Sequence, residues 1–312
     1  MTAGEALSRG TALLTQALTR GKAVPRAAPV SPGLDAALLL GDILGTDRAG
    51  LTLADRKPVS PEALAAYERS LARRCTGESV AYILGRKEFR GLDFSVTADV
   101  LVPRPDTETL VEAALARLDS RLPAGTLCLL DLCTGSGAVA VSLKRERPDL
   151  TVYASDISEA ALRVARINAR RLLLQPGPLP AESAPPSPPG VRFIRGDLFA
   201  ALEELPEPER TFDLITANPP YVPSGLIDGL APEVRREPRP ALDGGTDGMD
   251  LIRRIVGEAP AYLRPGGDIL LEADPSQMRE IGDLLASRGY NDIQLYRDLA
   301  GHRRVIGGRF GN

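Results

Sequence analysis

The first part of the chain has apolar residues at helical spacing. They recur at roughly helical spacing in residues 2–20 and continue in residues 34–44. A Pro-containing loop is expected between them at residues 21–30, and no polar cluster in this part suggests a reactive site. Ser31-Pro32 and Ser60-Pro61 each place a helix-capping residue before a proline, which is favourable at the first position of a helix. This pattern predicts a small helical domain over residues 1–76, whose role is packing or partner binding.

The pattern changes to strand-like alternation in residues 77–103. Apolar and polar residues alternate around Gly91 in three short runs, which cover residues 82–85, 88–89 and 92–96. We expect a β-hairpin here that links the helical domain to the rest of the chain.

A loop stiffened by prolines follows the predicted hairpin. Arg104 lies between two prolines, so its backbone is restrained and its side chain can point at a ligand. An exposed loop arginine is the commoner explanation of such a residue alone. Asp106 or Thr107 can cap the helix that we predict for residues 108–118.

From residue 126 onward, short apolar runs alternate with amphipathic segments, which is typical of a parallel sheet with crossover helices. The predicted strands cover residues 127–132, 151–154, 191–194, 212–217, 269–271, 293–296 and 303–307. The predicted helices cover residues 138–145, 159–171, 249–262 and 276–288, with a turn at residues 264–267. The last two strands are close enough in the chain to pair antiparallel. An α/β domain is therefore expected over residues 104–312, with a Pro-rich, flexible insertion at residues 172–190.

The first strand of this domain ends in a loop of small residues. Asp131 is followed by Leu132, Cys133, Thr134, Gly135, Ser136 and Gly137. Small residues let a ligand approach the backbone closely, but the pattern is not the G-x-G-x-x-G of dinucleotide sites. An acid at this place disfavours a pyrophosphate and suits a cationic amino group, such as that of the methionine part of S-adenosylmethionine. A tight turn without a ligand is the alternative.

Two further acids follow the next strands. Asp156 comes about 20 residues after the glycine loop, where an acid can accept hydrogen bonds from both ribose hydroxyls. Helix capping is its alternative role, but Ser158 can already provide the cap. Asp197 can accept a hydrogen bond from the adenine N6 amino group, with Leu198 or Phe199 against the ring. A solvated loop acid is an equally good explanation of Asp197 alone.

The sequence Asn218-Pro219-Pro220-Tyr221 follows the apolar strand at residues 212–217. Consecutive prolines cannot continue a central strand, so Asn218 is expected at its carboxyl end, where ligands bind in open α/β sheets. The Asn218 amide and the Pro219 carbonyl can accept the two N–H bonds of a planar NH2 group, and Tyr221 can pack against it. A Pro-rich turn is the alternative for this segment alone. The order of these candidates along successive strand ends favours one shared site.

Composition excludes several classes of protein. The 312 residues are 43% hydrophobic and 25% charged, which is typical of a globular protein, and no apolar run is long enough for a bilayer. The net charge of −3 argues against a broad nucleic-acid-binding surface. The three cysteines lack metal-site spacing and a single histidine removes most histidine-dependent chemistry, so no metal is expected. We find no signal-peptide pattern and expect a cytoplasmic protein.

Together these residues resemble the class I S-adenosylmethionine-dependent methyltransferases, and most closely the PrmC/HemK family of protein-(glutamine-N5) methyltransferases that modify class 1 peptide chain release factors. The resemblance covers most of the chain. It rests on the glycine loop, on Asp156-Ile157-Ser158, and on residues 101–111, 218–222, 237–242 and 244–248.

The resemblance implies a Rossmann-like methyltransferase sheet, mostly parallel with the last strand antiparallel, and an N-terminal domain that recognises the substrate. It implies methyl transfer to the glutamine of a Gly-Gly-Gln loop in a release factor, which supports translation termination. The implied cofactor-binding residues are Asp131, Cys133, Thr134, Gly135, Ser136, Gly137, Asp156, Ile157, Asp197, Leu198 and Asn218. The implied catalytic residues are Asn218, Pro219 and Tyr221, and these bind substrate together with Pro220 and Arg104. No nucleic-acid partner and a monomer are expected.

The chain departs from the family at Cys133, where members usually have glycine, and at Ala273, where glycine is common after Glu272. Alternative functions are methylation of a ribosomal-protein glutamine or of adenine N6 in a nucleic acid, since adenine also presents a planar NH2 group. A non-catalytic S-adenosylmethionine or nucleotide-binding module and an NAD-dependent oxidoreductase are the alternatives from other classes.

Overall fold

A computed structural model describes residues 1–19, 31–120, 126–174 and 190–311. The predicted loop at residues 21–30 and all but the ends of the Pro-rich insertion lie outside these ranges. The chain divides into two compact units, Met1–Arg86 with Asp228–Glu237, and Lys87–Ile227 with Pro238–Asn312. The sequence placed the first boundary at residue 76 and gave no sign that residues 228–237 group with the N-terminal part.

The first unit is helical. Its helices are α1 (Ala3–Thr19), α2 (Pro32–Leu44), α3 (Arg48–Leu53), α4 (Pro61–Cys75) and α5 (Val80–Leu84). The predicted cap at Ser60 is present, since its hydroxyl accepts a 3.2 Å hydrogen bond from the N–H of Ala63. Ser31 stands at the predicted N-cap position before Pro32, but its side chain makes no cap hydrogen bond within the described residues.

Helix α5 corrects the strand predicted at residues 82–85. Ser79 caps this helix by accepting a hydrogen bond from the N–H of Tyr82, and Gly85 ends it in the left-handed conformation. Such start and stop signals at both ends outweigh the local strand propensity. The predicted hairpin begins only afterwards, with β1 (Arg86–Phe89) and β2 (Leu92–Ser95), and α6 (Glu108–Asp119) follows.

The second unit contains one seven-stranded sheet. Its strands are β3 (Cys128–Leu132), β4 (Thr151–Asp156), β5 (Val191–Arg195), β6 (Phe212–Ala217), β7 (Leu263–Glu272), β8 (Tyr290–Arg297) and β9 (Arg303–Phe310). The helices between them are α7 (Ala138–Glu146), α8 (Glu159–Leu173), α9 (Asp250–Glu258) and α10 (Met278–Ser287). The strand order is β5-β4-β3-β6-β7-β9-β8, and β9 pairs antiparallel with both of its neighbours. The α/β fold with an antiparallel last strand is therefore confirmed.

Strand β7 differs from its prediction. The sequence predicted a turn at residues 264–267, but these residues lie inside β7. The register of its pairing with β6 shifts there. Gly266 supplies the positive φ of 74° that this irregularity needs. Within the described residues, no helix has both the length and the apolar character to cross a membrane.

The sheet topology determines where a ligand can bind. The chain runs from β3 outward to β4 and β5, then returns to β6 on the other side of β3. The crossover helices leave the sheet in opposite directions at this switch point, which opens a crevice at the carboxyl ends of the strands. Asp131 of β3 and Thr216 of β6 are in register across it.

Candidate active site

A cavity of about 440 Å³ lies at the switch point, a volume in the range of small-molecule sites of about 300–1,000 Å³. It is formed within the second unit. The predicted residues that line it are Arg104, Asp131, Cys133, Thr134, Gly135, Ser136, Asp156, Ile157, Asp197, Leu198, Asn218 and Pro220. Among the predicted residues, Gly137, Pro219 and Tyr221 are outside the lining that the described residues form.

Asp131 is a buried carboxylate in the lining of this cavity, with an exposed fraction of 1%. It accepts hydrogen bonds from the hydroxyls of Thr134 at 2.6 Å and Thr216 at 2.8 Å. Burial nevertheless raises its pKa to about 7, because these two hydroxyls only partly replace the lost hydration. A cationic group in the cavity would stabilise the ionised form of Asp131.

The glycine loop has two residues in the left-handed conformation, Cys133 with φ of 55° and Gly135 with φ of 55°. A left-handed residue with a Cβ costs about 1–2 kcal/mol, which explains why glycine is favourable at position 133. A Cβ on Gly135 would meet nothing within 4 Å, so glycine is favoured here by its left-handed conformation and not by close packing. The backbone at Gly135 is therefore accessible to a ligand. Burial, and then the charges of Asp156 and Asp131, raise the pKa of the Cys133 thiol, which therefore stays protonated near neutral pH.

Gly137 serves helix packing instead of ligand approach. It precedes α7 with φ of 80°, and a Cβ there would lie 3.2 Å from the Cβ of Ala165 on α8. Asn168, also on α8 and fully buried, donates hydrogen bonds to the carbonyls of Ser95 at 3.0 Å and Ser136 at 2.9 Å. Sequence reasoning missed Asn168, although a polar residue on the apolar face of a helix is a signal that could have found it.

Asp156 lines the cavity but is already engaged by the backbone. Its carboxylate accepts hydrogen bonds from the N–H groups of Gly135 and Ser158, each at 2.9 Å. Burial raises its pKa in spite of these donors. Each oxygen keeps further acceptor capacity for a ligand hydroxyl. The exposed side chain of Ile157 adds an apolar surface beside it.

Asp197 has a partner that the sequence did not predict. Arg254 of α9 binds its carboxylate with two hydrogen bonds of 3.1 and 2.9 Å. The two side chains are 44% and 48% exposed, so this ion pair contributes little stability and a ligand amino group can compete for Asp197. Leu198 is buried in the left-handed conformation beside it.

Asn218 follows β6 and is half-buried at the edge of the cavity. Its side-chain NH2 group donates a 3.2 Å hydrogen bond to the hydroxyl of Thr107, which leaves the amide oxygen available. Thr107 occupies the N-cap position of α6, as one of the two predicted candidates, but its side chain makes no cap bond to this helix within the described chain. Tyr221 packs on the hydrophobic core, and contact of Pro219 or Tyr221 with a substrate stays a prediction.

Two glycines of residues 244–248 hold the backbone after Asn218. A Cβ on Gly244 would lie 2.7 Å from the carbonyl oxygen of Pro220, and one on Gly248 would lie 2.2 Å from that of Tyr221. Gln277 adds hydrogen bonds of 3.1 Å to the carbonyls of Tyr221 and Gly248. These contacts hold the backbone that follows β6. The sequence drew attention to the two glycines only through the resemblance, and gave Gln277 no role.

The cavity lining contains other residues that sequence reasoning left without a site role. They include Thr107, Ser155, Pro238, Pro240, Ala241, Asp243 and Arg254. Pro238 to Ala241 belong to one of the runs on which the resemblance rests, and that was the available signal. Within the described residues, no group of three or more His, Cys, Asp or Glu side chains is arranged to hold a metal ion.

Two family models match this chain. The PrmC N-terminal domain matches residues 5–85, and the methyltransferase small domain matches residues 110–228. The release factor glutamine methyltransferase of Burkholderia pseudomallei (strain K96243) is 42% identical over 284 residues, which are 91% of this chain and 94% of that protein. The chain belongs to the release factor glutamine methyltransferase family. The family member of Moorella thermoacetica (strain ATCC 39073 / JCM 9320) is 40% identical over 297 residues, 94% of this chain and 97% of that protein.

Solved structures support the fold. The hMettl16 catalytic domain in complex with MAT2A 3′UTR hairpin 1 has a TM-score of 0.55 and 14% identity, and the match covers 78% of this chain and 81% of that chain. At this identity the likeness shows the fold alone. The expected family, the methyltransferase class of enzyme and S-adenosylmethionine as the family's cofactor are confirmed.

Proposed function

We propose that this protein transfers a methyl group from S-adenosylmethionine to the side-chain amide nitrogen of the glutamine in a Gly-Gly-Gln loop of a class 1 release factor. One observation carries the proposal. The Asn218 amide opens into the same cavity as the buried carboxylate of Asp131 and the glycine loop, in a member of the release factor glutamine methyltransferase family. The group that would bind the methyl acceptor therefore lies beside the residues that would bind the methyl donor.

The lining fits S-adenosylmethionine by its chemistry. Asp131 would pair with the cationic amino group, and the left-handed loop at Gly135 would let the methionine part approach the backbone. Asp156 would accept hydrogen bonds from the ribose hydroxyls and Asp197 one from the adenine amino group, while Ile157 offers an apolar surface to the ring system. The bound cofactor supplies a methyl group made electrophilic by a sulfonium.

The acceptor side must overcome the poor nucleophilicity of an amide nitrogen, whose lone pair is delocalised into the carbonyl. The oxygen of Asn218 and the backbone carbonyl of Pro219 accept its two N–H bonds, which aims the lone pair and stabilises positive charge that develops on nitrogen. Pro220 and Tyr221 hold the amide plane, and Arg104 lies at the cavity edge. As the nitrogen–methyl bond forms, the methyl–sulfur bond of the sulfonium breaks and leaves a neutral thioether. One N–H proton then leaves the nitrogen to water, so no strong general base is required.

The proposal extends to the partner and the location of the protein. The helical domain at residues 1–76, which the PrmC N-terminal domain model overlaps, recognises the release factor, and residues 77–103 link it to the methyltransferase domain at residues 104–312. The protein acts as a monomer in the cytoplasm on a protein substrate. A nucleic-acid substrate is not favoured, because the net charge is −3.

The test is methyl transfer from radiolabelled S-adenosylmethionine to three acceptors in parallel. These are a purified class 1 release factor, the same factor with its Gly-Gly-Gln glutamine changed to alanine, and duplex DNA. We expect label on the unmodified release factor only. Equal labelling of the Gln→Ala factor would show a different acceptor residue, and labelling of DNA in place of the factor would overturn the proposal.

A further inference from the structure

Thr107 and Asn218 both line the cavity, and the Asn218 side-chain NH2 group donates a 3.2 Å hydrogen bond to the Thr107 hydroxyl. Thr107 lies just before α6, has an exposed fraction of 4%, and lines the cavity next to Asn218. A threonine hydroxyl has only one proton to donate, while its oxygen can also accept. If the Thr107 hydroxyl donates its proton to another group, its oxygen can only accept from the Asn218 NH2 group. If that proton is free, it can instead bond the Asn218 oxygen.

Glu272 is the other neighbour of this hydroxyl. It ends β7, has an exposed fraction of 1%, and receives a side-chain hydrogen bond from Thr107 that favours its ionised form. Its oxygen Oε2 has no hydrogen-bond partner among the residues that the structure describes. A buried carboxylate with an unpartnered oxygen is costly, and such groups commonly serve function.

We propose that Glu272 and Thr107 are positioning residues that hold the Asn218 amide with its oxygen toward the methyl acceptor. An ionised carboxylate can only accept a hydrogen bond, so it takes the Thr107 proton. The Thr107 oxygen can then only accept, so the Asn218 NH2 group turns toward it. The Asn218 oxygen is left facing the cavity, where an amide substrate needs an acceptor. This inference rests on the methyl transfer proposed above.

Protonation of Glu272 would undo this arrangement. A protonated carboxyl no longer requires the Thr107 proton, which then becomes free to bond the Asn218 oxygen. The amide can rotate and present its NH2 group to the substrate, where it repels the substrate N–H. Activity should therefore require the ionised form of Glu272.

Charged and polar groups from several elements face Glu272. Arg304 of β9 favours the ionised form, but it also pairs with Asp106 at 3.0 Å and Asp298 at 3.5 Å. The charge of Asp106 opposes ionisation of Glu272 and that of Arg104 favours it. Burial raises the pKa of Tyr221, and its electrostatic interaction with the Glu272 carboxylate raises that pKa further. Burial is the largest influence and raises the pKa of Glu272 to about 7. The group thus titrates in the range where the enzyme would be assayed.

The test measures kcat, at saturating S-adenosylmethionine and release factor, together with the dissociation constant of S-adenosylmethionine. We expect Thr107→Val to lower kcat about 10-fold with an unchanged dissociation constant, and Thr107→Ser to stay within about threefold of the unmodified protein. Thr109→Val is the matched control. It makes the same change at another buried threonine, which lies outside the described cavity lining, and should leave kcat unchanged.

The pH profile separates positioning from a general structural role. In the unmodified protein, kcat should fall as pH falls through about 7, because the ionised form of Glu272 is lost. Glu272→Gln cannot titrate, so its kcat should stay level between about pH 6 and pH 8. Saturating cofactor keeps Asp131 from adding to this profile.

The outcomes are distinguishable. Full kcat in Thr107→Val, or an acid limb that persists in Glu272→Gln, would overturn the positioning role while methylation by the unmodified protein upholds the proposed function. Absence of transfer by the unmodified protein would overturn the proposed function and the positioning role with it.

Discussion

Three carboxylates near the cavity have different properties because their neighbours differ. Asp131 is buried with two hydroxyl donors, and its pKa is raised to about 7. Asp156 accepts hydrogen bonds from two backbone N–H groups, which partly offset the rise in its pKa that burial causes. Asp197 is half-exposed and bound by Arg254. The same residue type therefore has three different electrostatic environments within one cavity, as the three different roles proposed for these acids require.

Asp131 should make cofactor affinity depend on pH. Its pKa is raised in the free protein, so it loses its charge as pH falls through about 7 and no longer pairs with the cationic amino group. Calorimetric titration with S-adenosylmethionine should show affinity decreasing about 10-fold per pH unit below that value. Asp131→Asn should bind weakly with little pH dependence. A constant affinity of the unmodified protein from about pH 5.5 to 8 would exclude this role.

Asn218 should matter for turnover and much less for cofactor affinity. Asn218→Ala removes the side-chain acceptor for the attacking amide, a transition-state interaction whose loss should lower kcat by about 100-fold or more. The dissociation constant of S-adenosylmethionine should stay close to that of the unmodified protein. Single-turnover transfer to the release factor and calorimetry measure the two quantities. Near-normal turnover in Asn218→Ala would refute its catalytic role.

At the scale of elements, the end of β6 depends on the segment that packs behind it. Val222 donates a 2.9 Å hydrogen bond to the Leu242 carbonyl and accepts one of 2.9 Å from the N–H of Gly244. Gly244 and Gly248 allow this backbone to approach Pro220 and Tyr221 more closely than any side chain would permit. The glycines of this run are thus explained by packing against Pro220 and Tyr221.

Gly248→Ala should destabilise the protein strongly. The new Cβ would lie 2.2 Å from the Tyr221 carbonyl oxygen, and the φ of 80° is unfavourable for alanine. We expect the free energy of unfolding to fall by about 3 kcal/mol, with kcat reduced because Asn218 moves. Gly225→Ala is the matched control, since a Cβ there meets nothing within 4 Å. Urea denaturation of both variants gives the comparison, and equal stability would contradict the packing role.

At the scale of the whole molecule, all the described residues that line the cavity belong to the second unit, although they are far apart in sequence. The sheet order places β3 between β4 and β6, so the Asp131, Asp156 and Asn218 strand ends meet at one switch point. A ligand that binds there contacts several elements at once. It should therefore stabilise the folded state of this unit as a whole.

S-adenosylmethionine should raise the melting temperature of the protein. At about 100 times its dissociation constant it adds about 2.7 kcal/mol to the stability of the folded state, which corresponds to a rise of about 5 °C or more. Asp156→Ala should need a higher concentration for the same rise, because it loses the ribose contact. NAD at equal concentration is the control and should give no rise. An equal rise with NAD would support the dinucleotide-binding alternative.

Much of this protein was determined by its sequence alone. The strand at Phe212–Ala217 was predicted with its true bounds, and the α/β class and the strand-end positions of Asp131, Asp156 and Asn218 followed from local patterns. Periodicity and chain-breaking residues are local signals, so they can be recognised in the sequence without knowledge of the fold. Even the departure at Cys133 was visible, although the left-handed backbone that makes glycine favourable there was not.

Only the tertiary structure decided which side chains meet. Arg254 binds Asp197, Asn168 holds the glycine loop, and Glu272 faces Thr107, although none of these partners is near the other in sequence. A hydrogen bond between distant segments depends on where the sheet places each strand end, and no local pattern carries that information. The sequence identified Asn218 as a candidate site residue. Only the fold showed that its NH2 group bonds Thr107, which leaves its oxygen available to the cavity.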